Sequence, residues 1–297
     1  MIELKGISKS FETHQVLENV NCAFEPGKIY GIIGKNGEGK STLLRIINGI
    51  YEADSGEVLF DGKKLDDTES IKQNLVFVSD DSYFFRGYNI ADMAEFYAAL
   101  YPKFDVNIVV DLTTKLKLDT KAKISTFSKG MKRQTSLILA IATNAEYMFF
   151  DETFDGLDPI NRNIMKNVIQ EKAKKDNKAI IMTSHNMKEL QDICDVFGIL
   201  YNKTLSFEKD IKIETKENEE VIKIQISFPE KFDKTKFSEL NVLDYEQFGS
   251  VAKLIVKGNK EEIISKLRSM NPVLLETLDL SLEEKLVYEM GDDSNEK

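Results

Sequence analysis

Histidine is almost missing from this chain. Only His14 and His185 occur, so a metal centre built from several imidazoles is impossible. Cysteine is as scarce: Cys22 and Cys194 stand far apart and are too few for a disulfide framework, which points to a reducing cytosol. No apolar run approaches the ~18–20 residues needed to span a bilayer, and the N-terminus lacks the basic-then-apolar order of a secretory signal. An excess of positive charge is absent too. Lys and Arg number 40 against 50 Asp and Glu, a net charge of −10, so nucleic acid is not expected as a bulk partner, although a local basic patch stays open. What is present, 42% apolar and 30% charged residues over 297 positions, reads as a globular chain of about two domains.

The first ~205 residues alternate short apolar runs with helical stretches, the pattern of an α/β domain on a mainly parallel sheet. The runs are Ile29–Ile33, ending at Gly34; Tyr147–Phe150, ending at Asp151; Lys178–Thr183, ending at Ser184-His185; and Val196–Leu200. Strands buried on both faces read as continuous apolar runs, and ligands of open α/β sheets lie where such strands end. Residues 86–145 are mainly helical, with Ala91–Tyr101 and Val106–Leu118 as amphipathic candidates, and read as an insert in the sheet domain. The charged stretch EKDIKIETKENEE places a boundary near 205–220, giving a cassette at 1–205 and an accessory domain at 206–297. The second part reads β-α-β-β-α-β: a strand around Ile222–Phe228, a short helix at about Lys234–Leu240 and strands at Val242–Gln247 and Val251–Lys257. A helix capped by Asn259 runs from there to Met270, and Val273–Leu278 forms a last strand. That order fits a small ferredoxin-like α+β unit. Ser281-x-x-Glu284 resembles a capping box for a final helix to Glu289.

The sharpest motif is Gly34-Lys35-Asn36-Gly37-Glu38-Gly39-Lys40-Ser41, a G-x-x-x-x-G-K-[ST] loop after a strand and before a helix opened by Thr42. Its glycines let backbone N–H groups turn inward around a polyphosphate, and the helix N-terminus adds its dipole. Lys40 neutralises phosphate charge, and Ser41 can ligate Mg²⁺. Asp151-Glu152 ends another strand, where one carboxylate can reach that magnesium and the next can polarise a water. His185 ends a third strand, within reach of a terminal phosphate.

The ordered set GKNGEGKS, FSKGMKR (Phe127–Arg133), YMFFDE, Phe154–Pro159 and Ser184-His185 resembles one family closely, the ATP-binding subunits of ABC transporters. The resemblance covers essentially residues 1–205. It implies a P-loop NTPase cassette that binds ATP and Mg²⁺ and hydrolyses ATP in a dimer. It further implies Glu152 as general base, Asp151 as magnesium-associated carboxylate and His185 as γ-phosphate switch. Phe11 would stack on adenine with Val16 beside it, and Ser128 and Gly130 would hold the γ-phosphate bound to the opposite subunit. Asp155 to Asp158 would link the two sites.

Three departures qualify the resemblance. The signature reads FSKGM, with Lys129 and Met131 where the family has a glycine and a glutamine, as in bacterial drug, antibiotic and peptide exporters. Asp80, followed by Asp81, stands where the family's magnesium-ligating glutamine should follow LVFVS; a carboxylate can take that role but adds negative charge. The appended domain lies outside the minimal cassette. The implied partners are a second cassette, a separate transmembrane permease and no nucleic acid, on the cytoplasmic side of a bacterial inner membrane. A soluble ABC ATPase acting on ribosomes or DNA, or in regulation, is the alternative. Tyr83, Phe84, Phe85 and Tyr88 either pack the helical insert onto the sheet or form the docking surface for the membrane subunit.

Overall fold

A computed structural model describes residues 1–65, 69–154, 156–185, 190–207, 220–280 and 284, without the side chains of 69 and 70. The chain divides into two compact units, Met1–Ile211 and Lys212–Lys297.

The first unit opens with a long antiparallel hairpin, β1 (Ile2–Phe11) and β2 (His14–Phe24), followed by β3 (Ile29–Ile33) and helix α1 (Lys40–Ile47). Next come β4 (Ser55–Phe60), β5 (Lys63–Lys64), α2 (Glu69–Lys72) and β6 (Leu75–Val78). Three helices then occupy the insert: α3 (Ile90–Leu100), α4 (Val106–Lys115) and α5 (Lys129–Ala142). The unit closes with β7 (Tyr147–Asp151), α6 (Pro159–Lys175), β8 (Ala179–Ser184), β9 (Val196–Tyr201) and β10 (Thr204–Phe207).

One sheet is antiparallel in the order β2-β1-β4-β5. The other runs β10-β9-β3-β8-β7-β6, parallel from β9 to β6 with β10 antiparallel at its edge. Every residue of β3, β7 and β8 is buried, which is why their sequences are unbroken apolar runs rather than alternations. Leu43, Leu44, Ile46 and Ile47 of α1 join Ile32, Phe149 and Ile181 in the core between the sheets. Each such side chain contributes roughly 1.5–3 kcal/mol by leaving water.

The parallel register positions the site. Ile33 pairs with Ser184, Asp151 with Thr183 and Val78 with Phe150. The segments after β3, β6, β7 and β8, which begin with Gly34, Ser79, Glu152 and His185, therefore emerge side by side from one edge of the sheet.

Local chemistry sets the helix starts. Asn89 and Asp92 form a reciprocal capping box on α3, Ser128 accepts from the Met131 N–H at the start of α5, and Asp158, just before Pro159, accepts from the Ile160 and Asn161 N–H groups of α6.

The second unit is a four-stranded antiparallel sheet in the order β12-β13-β11-β14, from β11 (Glu220–Ser227), β12 (Asn241–Phe248), β13 (Val251–Gly258) and β14 (Leu274–Leu278). Helix α7 (Lys260–Ser269) starts at Asn259, whose side chain accepts from the Glu261 and Glu262 N–H groups. This strand order is that of the split β-α-β, ferredoxin-like arrangement. The first helix of the pattern is shorter than its sequence suggests. Asp233 turns back onto the Thr235 N–H, and only a 3₁₀ segment, Lys234–Phe237, follows. Ile222, Ile224 and Ile226 point to one face and pack with Phe237, Leu254, Val256, Ile263 and Leu267. The capping box at Ser281 and the helix to Glu289 lie outside the described residues, apart from Glu284.

Candidate functional site

Two glycines fix the shape of the phosphate-type loop. A Cβ on Gly34 would stand 2.6 Å from the Leu200 carbonyl oxygen, and Gly39, the residue before α1, sits at φ 102°, a left-handed conformation that L side chains resist. The loop closes over a cleft of about 380 Å³ walled by Phe11, Val16, Asn36, Gly37, Gly39, Lys40, Ser41, Thr42, Asp80 and Glu152. Gly34, Lys35 and Glu38 belong to the same loop. Lys40 donates to the carbonyls of Gly34 at 2.7 Å and Lys35 at 3.0 Å, so its ammonium lies inside the loop's own curve. It also approaches Glu152 Oε1 to 3.7 Å. Burial pushes the Lys40 pKa down, while the charges of Glu152 and Asp151 pull it back up.

Two acidic residues end β7 in different environments. Asp151 is fully buried; its Oδ1 accepts from Thr183 Oγ1 at 2.6 Å, and its Oδ2 has no hydrogen-bond partner. Burial drives its pKa upward, the Thr183 and Ser41 hydroxyls oppose this, and the neighbouring Asp80 and Glu152 charges add to the rise. Glu152 is held at φ 47°, with its N–H on the Thr183 carbonyl and hydroxyl, both at 3.2 Å. A non-glycine residue in that region stores strain of order 1–3 kcal/mol. Its carboxylate faces His185, with Nδ1 at 3.4 Å from Oε2. Glu152 thus links the lysine of the loop to the histidine after β8.

Asp80 stands at the cleft wall, half exposed, with Arg45 of α1 3.7 Å away. Phe11, also in the cleft wall, is exposed and edge-on to Tyr51, centroids 5.6 Å apart. An aromatic face beside an aliphatic Val16 suits a planar base, and the inward-turned loop with Lys40 suits a chain of phosphates. Asp151 Oδ2, buried and unpartnered with Ser41 as its neighbour, presents the hard oxygen donor that a divalent cation requires. Among the described residues no cluster of three or more His, Cys, Asp or Glu makes a closed metal site.

Ser128 and Gly130 do not line this cleft. Ser128 is exposed at the N-terminus of α5, and Gly130 lies so near the Gly156 carbonyl that a Cβ would stand 2.9 Å from it. Asp155 falls outside the described residues.

Sequence reasoning gave no individual role to four residues that shape the site: Thr183, Arg45, Tyr51 and Arg133, the last within the FSKGMKR segment. Arg133 is buried in α5 and donates to the Ser79 carbonyl at 3.1 Å, tying that helix to the residue before Asp80. Only Thr183 carried a signal, its place directly before Ser184-His185 on an apolar strand. The others act through tertiary contacts.

The aromatic segment after β6 divides between packing and exposure. Phe85 packs edge-on against Phe96 of α3 at 4.9 Å and leans on Tyr88 at 5.2 Å, whereas Tyr83 is 79% exposed. Beside it lies a groove of about 560 Å³ lined by Arg86, Gly87, Tyr88, Asp92, Glu95, Phe96 and Ala99.

Residues 17–155 match the family described as ABC transporter. Over 292 residues the chain is 32% identical to the ABC transporter ATP-binding protein YtrB of Bacillus subtilis (strain 168), covering 98% of each chain. The chain belongs to the ABC transporter family.

It is a cassette that binds ATP with Mg²⁺ and hydrolyses ATP, the ATP-binding subunit of an ABC transporter. It is also similar to the lantibiotic transport ATP-binding protein SrtF of Streptococcus pyogenes, 26% identical over 71% of this chain and 91% of that one. The methionine import ATP-binding protein MetN of Clostridium acetobutylicum is 30% identical over 67% of this chain and 66% of its own. Among solved structures, a dimeric post-hydrolysis state of the ATP-binding cassette MJ0796 bound to ADP and Pi shares the fold. Its TM-score is 0.63 at 20% identity, covering 73% of this chain and 100% of that one. Cassettes of the family pair with one another and with transmembrane subunits. No helix among the described residues is long and apolar enough to cross a membrane.

Proposed function

We propose that this cassette drives export, and that two copies close on ATP so that each cleft is completed by the Ser128–Gly130 turn of the other. The observation that carries the reading is the composition of the cleft itself. Lys40, Ser41, Asp80 and Glu152 converge in one chain, while Ser128 and Gly130 do not line the cleft and stand at the start of α5, with Ser128 exposed. A helix N-terminus, with its dipole and a serine hydroxyl, suits a terminal phosphate.

The chemistry follows from positions. Glu152 takes the proton of the attacking water, oxygen adds to the γ-phosphorus, and the bond to the β-phosphate oxygen breaks, releasing ADP and phosphate. Lys40 exchanges its two loop carbonyls for β- and γ-phosphate oxygens. His185, 3.4 Å from Glu152, donates to the γ-phosphate and holds the base in line. Ser41, Asp151 and Asp80 would hold Mg²⁺, which would supply positive charge to offset that of the phosphates. Phe11 stacks on the adenine with Val16 beneath it.

Export rather than import is supported by the FSKGM signature, which resembles those of drug, antibiotic and peptide exporters. The groove between Tyr88 and Phe96 receives a cytoplasmic segment of the membrane subunit, which holds the cassette at the inner face of the membrane. The cassette spans about 1–205, and the remaining residues form an accessory domain outside the catalytic cleft. Light scattering on Glu152→Gln tests the pairing: with ATP and Mg²⁺ the variant forms a stable dimer, and a monomer at saturating ATP contradicts it.

A further inference from the structure

Replacing a neutral glutamine by Asp80 puts a third carboxylate beside Asp151 and Glu152 at the wall of a site built for a triphosphate. Such a change needs a compensating cation, and Lys40 is already directed at the loop and Glu152. Arg45 supplies one. Its guanidinium stands 3.7 Å from Asp80 Oδ1, on the helix that begins at Lys40. The same guanidinium lies 5.7 Å from the centre of the Tyr51 ring, and Tyr51 is edge-on to Phe11 of the cleft wall, 5.6 Å away. Arg45 is therefore fixed from two sides, and it meets Asp80 without entering the cleft wall.

We propose that Arg45 is the positioning residue for Asp80: it pairs with the carboxylate when no metal–nucleotide is bound, cancels its charge toward the incoming triphosphate, and yields it to the metal edge once Mg²⁺ arrives. The inference rests on the reading of Asp80 as a metal-edge ligand. Its consequence is specific to charge. With Arg45 neutralised, Asp80 faces the triphosphate unpaired, so the penalty on binding is greatest when no Mg²⁺ is present to absorb it.

Affinity of the full chain for a fluorescent ATP analogue, titrated with Mg²⁺ and again in EDTA, tests this. Arg45→Gln weakens binding in EDTA by about tenfold and in Mg²⁺ by no more than about threefold. Arg45→Lys, which keeps the charge, stays near wild type, and Arg45→Gln combined with Asp80→Gln recovers the EDTA affinity. Equal losses with and without Mg²⁺, or a double variant no better than Arg45→Gln alone, overturn the proposal and leave Arg45 as packing for Tyr51. Asp80→Gln by itself separates the underlying reading: it raises the Mg²⁺ concentration for half-maximal binding severalfold, and an unchanged Mg²⁺ requirement removes Asp80 from the metal edge whatever Arg45 does. Melting curves of each variant identify any that fails to fold, and for such a case the Arg45→Lys and Asp80→Gln pair carries the comparison.

Discussion

The nucleotide cleft and the appended sheet are built to opposite standards. The cleft holds a fully buried carboxylate with one oxygen unpartnered, a glutamate at positive φ, and a lysine whose nearest acceptors are carbonyls of its own loop. The appended unit has an alternating apolar face, a helix capped by Asn259 and a half-buried Lys223–Glu284 ion pair at 2.7 Å. One region gives up stability so that charge and strain await a ligand; the other satisfies its groups internally. Unsatisfied polar groups and strain thus mark the functional region, and among the described residues the core of the appended unit holds no buried side-chain nitrogen or oxygen without a hydrogen-bond partner.

The largest effect that sharpens this contrast is on turnover. Glu152→Gln lowers ATP hydrolysis by about 10²–10⁴-fold while ATP binding persists, as measured by phosphate release and nucleotide titration. Wild-type turnover in this variant removes Glu152 as the base. In the appended unit a core truncation acts on folding instead. Leu254, fully buried, costs about 2–5 kcal/mol when cut to Ala, seen in denaturant unfolding, with turnover per folded molecule unchanged. A parallel loss of turnover breaks the comparison.

A smaller effect has the opposite sign. The folded state holds the Asp151 proton more tightly than the unfolded chain does, because its pKa is raised above 3.8 by burial. The stability from the neutral carboxyl is full below that unfolded value and is lost as pH rises through the folded one, so at neutral pH the ionised group is a cost. Asp151→Asn therefore stabilises the nucleotide-free chain at pH 7, read as a rise in the thermal unfolding midpoint. The gain shrinks toward pH 4. A gain that persists unchanged at pH 4, or a loss at pH 7, shows that Asp151 is satisfied in the resting fold. The smallest effect is on the surface of the appended sheet: Lys223→Met changes stability by less than ~1 kcal/mol, because Lys223 and Glu284 keep partial access to water.

The cassette was legible because its chemistry is concentrated in consecutive residues. Gly34 to Ser41, the acidic pair after YMFF and the Ser-His after AIIMT all mark strand ends, and buried parallel strands announce themselves as apolar runs. In the appended unit Ile222, Ile224 and Ile226 alternating with polar neighbours announce a half-buried strand, and the β-α-β-β-α-β order of elements suggests the ferredoxin-like arrangement. The 3₁₀ segment at Lys234 could not be anticipated, since the Asp233 side chain decides it by competing for a backbone N–H. The contacts of Arg45, Tyr51 and Arg133 were invisible for a different reason. Their partners Asp80, Phe11 and the Ser79 carbonyl are distant in sequence, and no periodicity records a long-range ion pair, a ring contact or a buried guanidinium.

Complementation between two inactive variants tests the shared site most directly. Lys40→Met and Ser128→Arg chains, each inactive alone, are mixed one to one and assayed for ATP hydrolysis. A cleft completed by the neighbour's serine turn gives mixed pairs with one intact site, and activity returns well above the sum of the parents. A mixture no more active than its components, although light scattering shows that the two chains pair, places the whole catalytic apparatus within a single chain and contradicts the account.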